Sequence, residues 1–294
     1  MYIFHYFFII YLFCSLFISF LSLFINNSDA KIRATIEQSE KYKKELSDSG
    51  RQEKGTTSEN QIIKEVVDRI YNTKDLTKED LNLLLNLNND ETEYLTSRAR
   101  EVRESGYGKD VYIRGLIEFT NYCKNDCYYC GIRRSNKNAD RYRLSLEDIM
   151  KCCENGYELG FRTFVLQGGE DAYYNEERVC EVVKTIRNKY PDCAITLSIG
   201  EWPRESYQKF YEAGANRYLL RHETADSCHY GKLHPEEMSF DHRIQCLKDL
   251  KEIGFQVGCD FMVGSPYQTL EMLAKEMQFI EMFHPHMCGI GPFI

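Results

Sequence analysis

Apolar positions in this chain repeat with two different periods, and the change of period divides it. From Ile62 onward Ile63, Val66, Val67 and Ile70 recur at helical spacing, and Leu81, Leu84, Leu85 and Leu87 follow the cap-like Thr77-x-x-Asp80. A third helix is predicted from Glu91 to Ser105, stopping at Gly106. These helices form a lead-in over residues 61–110. Beyond Val111 the pattern alternates, with strands predicted at 111–119, 163–167, 194–199, 217–221, 256–262 and 287–290. Helices are predicted between them at about 146–159, 176–190, 203–213, 239–253 and 269–283. Strands that alternate with helices predict a parallel sheet, here an α/β barrel built from βα repeats over residues 111–294.

The two ends look different. Residues 1–25 are almost wholly apolar and carry no Lys, Arg, Asp or Glu, a length that can span a bilayer. A membrane anchor, a targeting segment and a wrongly chosen start codon all account for that run. Residues 26–60 are rich in Asn, Ser, Lys, Glu and Gln and read as a polar linker. At the other end the chain stops directly after the sixth strand, so two of the eight βα units of a complete barrel are expected to be missing.

Bulk composition adds limits. The 294 residues are 43% hydrophobic and 28% charged, enough for a sizeable core and too polar for a multi-span membrane protein. A net charge of −8 argues against a nucleic-acid partner. The twelve cysteines are scattered through periodic segments, which implies a reducing compartment and not a disulfide framework.

Three of those cysteines carry chemistry. The stretch GLIEFTNYCKNDCYYCGIRR runs from an apolar strand into a loop bearing Cys123, Cys127 and Cys130. Soft, anionic thiolates at C-x3-C-x2-C spacing suit an iron–sulfur cube, and three ligands leave one iron open for a further molecule. A structural zinc site is the alternative, but it would close its tetrahedron with a nearby fourth Cys or His, and the next His is His222. Tyr128 and Tyr129 lie between the second and third cysteines, where an aromatic ring can pack on a ligand or shield the cluster.

The C-x3-C-x-aromatic-C pattern resembles the radical S-adenosylmethionine (SAM) enzymes. The blocks CGIRRSNKNADRYRLSLEDI, LQGGEDAYY, LSIGEWPRE, AGANRYLLRHETAD, MVGSPYQT and GIGPFI, in that order, are similar to the FeFe-hydrogenase maturase family HydE. That resemblance implies a TIM-type radical SAM barrel. It also implies a 4Fe-4S cluster on Cys123, Cys127 and Cys130, and SAM beside Gly168, Gly169, Glu170, Glu223, Arg243, Tyr129 and Met262. Thr196, Ser198 and Arg221 would face a small iron-bound precursor of the hydrogenase di-iron site. Expected partners are a reductant such as ferredoxin or flavodoxin and the other hydrogenase maturases.

The residues leave blander roles open beside these. Gly168-Gly169-Glu170 after a strand is also a common tight turn. Thr196 and Ser198 share a strand face and could be satisfied buried hydroxyls. Arg221 and Glu223, two apart, require either a polar ligand or each other. A lone Arg243 on a helix is most often solvated. Trp202-Pro203 reads as a helix start with Pro in its first turn, and His222, His229 and His234 as structural. Related radical SAM enzymes (methylornithine synthase, biotin synthase, tyrosine lyase) and an inactive iron–sulfur scaffold fragment are the alternatives to a maturase.

Overall fold

The computed structural model describes residues 57–73, 77–84 and 87–293, which fall into two compact units dividing between Asp110 and Val111. The apolar run 1–25 and most of the polar linker lie outside the described residues. Among the described residues no helix is long and apolar enough to cross a membrane.

The first unit contains α1 (Thr57–Thr73), α2 (Lys78–Leu84) and α3 (Asn89–Tyr107). Ile63 and Val67, one turn apart on α1, are fully buried, as are Leu95 and Ala99 at the same spacing on α3. Asp80 accepts from the backbone and hydroxyl of Thr77, so the cap-like pair does cap α2. Leu87 sits in the link that follows. An Asn88–Glu91 capping box starts α3 three residues before the predicted start, and the helix runs past Gly106 to be closed by Gly108, whose φ is +63°.

The second unit repeats strand and helix. Its elements are β1 (Gly115–Thr120), α4 (Leu146–Glu158), β2 (Thr163–Gly168), α5 (Glu176–Lys189), β3 (Ala194–Ser198), α6 (Arg204–Ala213), β4 (Arg217–Leu219), α7 (Ser227–Leu233), α8 (Phe240–Ile253), β5 (Gln256–Val263), α9 (Leu270–Phe283) and β6 (Met287–Pro292). The six strands pair in sequence order and all in parallel. Alternate residues Ile117, Phe119, Phe164, Leu166, Ile195, Leu197, Tyr218, Val257 and Cys259 face the helices and make the core with Ile149, Val183, Phe210 and Leu250. The intervening residues face the other way: Thr120, Gln167, Thr196, Ser198, Asp260 and Met262. The period of two therefore separates packing from polar chemistry within each strand.

Several predicted boundaries shift. The first strand begins at Gly115, where the register with β2 starts, and Val111, Tyr112 and Ile113 before it are exposed. The fourth ends at Leu219, since Glu223 turns to make an isolated bridge with Phe261. Pro203 is the N-cap of α6 and lies outside its first turn. Helix α7 was not predicted; its signal was Asp226, whose side chain caps it at His229.

Candidate functional site

The polar ends of the strands converge on the segment after β1. Residues 121–143 carry no regular structure, so side chains must satisfy their backbone. Arg141 does most of this, donating to the carbonyls of Asn121, Ile132, Arg133 and Asn136. Asp126 accepts from the Ser135 amide, and Asn121 pairs with the backbone of Asp140 and Tyr142. The Tyr128 amide donates to Leu233 at the end of α7 (3.0 Å). Cys123, Cys127 and Cys130 sit half-buried on this frame, all with free thiols.

Gly168 and Gly169 do permit a close approach, and the loop itself makes it. A Cβ on Gly169 would lie 2.2 Å from the Tyr122 carbonyl and 2.7 Å from Cys123 Cβ; one on Gly168 would lie 2.7 Å from Thr120 Cγ2. The next residue, Glu170, is engaged at both oxygens, by the Glu201 amide (3.0 Å) and by Lys124 (3.0 Å) from within the cysteine loop. Gly200, at φ +77°, leaves room for it, because a Cβ there would fall 2.2 Å from Glu170 Cγ.

Glu223 has hydrogen-bonding capacity left. Its φ is +66°, a region that costs a non-glycine residue roughly 1–2 kcal/mol. Its carboxylate is buried, with one oxygen on Arg221 Nε (3.1 Å) and the other, Oε2, without a partner. Burial pushes its pKa up, opposed by the charges of Arg221 and Arg243. Thr196 Oγ1 is likewise buried and unpartnered, while Ser198 beside it on the same face is half-buried.

Arg243 differs from the solvated arginine its sequence context suggests. It is buried, held by Glu201 and by the Arg221 carbonyl (2.6 Å). Burial opposes its charge, but Glu201 and the phenols of Tyr230 and Tyr129 hold it firmly protonated. Tyr129 is half-buried, its hydroxyl 3.1 Å from His234 Nε2 and its ring edge-on to the imidazole. His234 Nδ1 can only donate to the Tyr230 carbonyl (3.0 Å), so Nε2 is the bare nitrogen and the Tyr129 hydroxyl donates to it. Tyr128, in contrast, is 60% exposed. Met262 is buried at the end of β5, its amide bonded to the Glu223 carbonyl.

Four residues at or around the site carry no signal in the sequence. Glu201 holds Arg243. Asp171 accepts two bonds from Arg143 and one from the Thr120 hydroxyl, tying the end of β1 to the chain after the cysteine loop. Asp260 accepts from the Gly289 amide, its pKa raised by burial against the field of Arg221. Glu276 meets His222 across α9. Single charged residues inside otherwise ordinary helices and strands give no local signal of this kind. The three histidines all have protein partners, as expected of structural residues.

The donors fit the cluster that the spacing suggests. Burial, with Cys130 and Cys123 alongside, pushes the Cys127 thiol up to about 12, so this thiol holds its proton until a metal replaces it. Among the described residues no three Cys, His, Asp or Glu side chains converge on a single ion position. A cube does not ask for that, because each thiolate binds its own iron.

A parallel βα fold with three thiols on the loop after its first strand, and a buried carboxylate in the segment after the fourth, fits the radical SAM class. The Radical SAM superfamily model matches residues 117–280, and the chain belongs to that superfamily. It is 44% identical over 234 residues to the FeFe-hydrogenase maturase subunit HydE of Thermotoga maritima, which covers 79% of this chain. Among solved structures it is similar to methylornithine synthase, PylB (31% identity, TM-score 0.73, 78% of this chain and 68% of that one). It is also similar to the FeFe-hydrogenase maturase HydG (26% identity, TM-score 0.68, 91% of this chain and 59% of that one). The chain spans 65% of the length of the HydE relative.

Proposed function

We propose that this protein is a radical SAM enzyme acting in assembly of the FeFe-hydrogenase di-iron site. The observation that supports the reading is the three-thiol loop together with the buried Glu223 carboxylate, one oxygen of which has no partner. Cys123, Cys127 and Cys130 would hold a 4Fe-4S cluster, leaving one iron for SAM. Bound together, these groups supply a 5′-deoxyadenosyl radical through one-electron cleavage of the sulfonium.

The chain's own residues divide the remaining work. Glu223 offers a desolvated acceptor to SAM, where a hydrogen bond is worth more than in water. Tyr129, fixed by His234, and Met262 give the pocket apolar walls that exclude water. Gly168 and Gly169 let the loop seat closely. Glu170, bonded to Lys124 and the Glu201 amide, and Arg243, bonded to Glu201 and the Arg221 carbonyl, are proposed as further contacts of SAM. Thr196, Ser198 and Arg221 offer a small substrate two hydroxyls and a cation. The proposed substrate is an iron-bound precursor, the electron donor a ferredoxin or flavodoxin in a reducing compartment, and the protein partners the other maturases.

Anaerobic reconstitution with iron and sulfide tests this. Reduced protein should bind four irons and convert SAM to 5′-deoxyadenosine, and Cys127→Ala should abolish both. A reduced, four-iron protein that never cleaves SAM would sink the enzyme reading and leave a scaffold. The match to PylB supports a second reading, an amino-acid-dependent enzyme. Deoxyadenosine formed only when an amino acid is added, with no rescue of hydrogenase activity in a host lacking its own HydE, would select it.

A further inference from the structure

Glu276 is fully buried on α9, a helix to which no role in the site has been given. One of its oxygens lies 2.8 Å from His222 Nε2 and the other accepts the Ala225 amide at 2.6 Å. These two donors flank Glu223, the residue at φ +66° that has one unpartnered carboxylate oxygen and whose charge is felt at Cys130. His222 Nδ1 is buried without a partner, beside the rings of Phe279 and Phe261. A bare ring nitrogen is tolerated there better than an N–H, so the proton belongs on Nε2 and points at Glu276. The same helix grips the segment once more, through Lys275 on Asp226 (2.5 Å), the cap of α7.

Backbone bonds complete the clamp. The Glu223 amide donates to Asp260 (3.0 Å), and its carbonyl accepts from Met262 (3.3 Å). Those bonds fix the segment to β5. Within the turn the Thr224 amide donates to the His222 carbonyl (2.8 Å) and the Thr224 hydroxyl meets His229 Nδ1 (3.0 Å), while Glu276 ties together its two ends, His222 and Ala225. We propose that Glu276 is a positioning residue: it bridges His222 and Ala225 across Glu223, and thereby holds the left-handed turn that presents the Glu223 carboxylate to SAM. The inference rests on the radical SAM reading of Glu223 for its consequence, but the bridge itself is independent of any ligand.

The test uses the reconstituted protein with Glu276→Ala and the near-isosteric Glu276→Gln, which keeps the fold testable if the alanine variant fails to form. Hydrogen exchange at Ala225, without SAM, should quicken at least tenfold in Glu276→Ala and less in Glu276→Gln. Iron content and the electron paramagnetic resonance signal of the reduced cluster should stay as in the parent. The SAM concentration that half-converts that signal should rise at least tenfold. Glu223→Gln should raise it similarly, and the Glu223→Gln/Glu276→Ala double variant no further, since both changes act through one carboxylate. Unchanged Ala225 exchange, or losses that multiply in the double variant, would overturn the proposal. If SAM leaves the parent's signal untouched, the radical SAM reading itself fails, and the positioning role is then decided by Ala225 exchange alone.

Discussion

Gly169 and His234 show how single residues set the site without touching its chemistry. With a Cβ on Gly169 only 2.2 Å from the Tyr122 carbonyl, backbone must move, and the backbone in question carries Cys123. Gly169→Ala should therefore lower iron bound per chain after reconstitution well below the parent value, while helix content by circular dichroism stays near it. His234 is buried neutral, its pKa lowered to about 4 by burial. The unfolded chain takes up this proton near pH 6.5, the native state near 4, so the stability held above pH 6.5 drains away as pH falls through that window. The limit is roughly 3 kcal/mol. Chemical denaturation at pH 7 and pH 5 should show a smaller acid loss in His234→Phe than in the parent.

At the scale of elements, the segment after β1 is the weak point, since no ladder holds it. Asp171 carries part of that duty. Burial alone would raise its pKa, but hydrogen bonds from Arg143, Thr120 and the Tyr173 amide more than offset this and hold the carboxyl below its ordinary value. A depressed carboxyl stabilises the fold above the ordinary carboxylate range, and that contribution is lost as pH falls through the native pKa. Asp171→Asn should cost about 2–4 kcal/mol at pH 7, measured by chemical denaturation, because it strips the partner from a guanidinium that is only one-third exposed. The same change should make the cluster easier to lose to a chelator, as β1 and the cysteine loop separate.

Much of this level was legible beforehand. Alternating periods located all six strands, and Ser, Thr or Asn caps mark the starts of α4, α5, α8 and α9. What escaped was the short α7, too brief for periodicity to register, and the end of β4. There the need to turn Glu223 toward Phe261 overrides the apolar run.

For the whole molecule, the second unit is a sheet with β1 and β6 each paired to a single strand among the described residues. Leu116 on β1 is 55% exposed, with Val111, Tyr112 and Ile113 more exposed still. Apolar surface beside an unpaired strand is a template for association. Light scattering of this chain should show concentration-dependent association, and Leu116→Lys should reduce it while leaving iron binding intact.

The three-thiol loop and the βα repeat were determined by sequence alone. Ligand chemistry resides in residue type and spacing, and strand or helix in the period of apolar positions; both are local. Which polar residues remain available for a ligand was decided only by the tertiary structure. Glu170 and Arg243 each gain a protein partner 31 and 42 positions away, in both cases Glu201. Glu223 kept one oxygen free, and it did so in a backbone conformation that only its surroundings could enforce. Availability of this kind is what remains after every contact between distant residues has been made, and no local pattern records it.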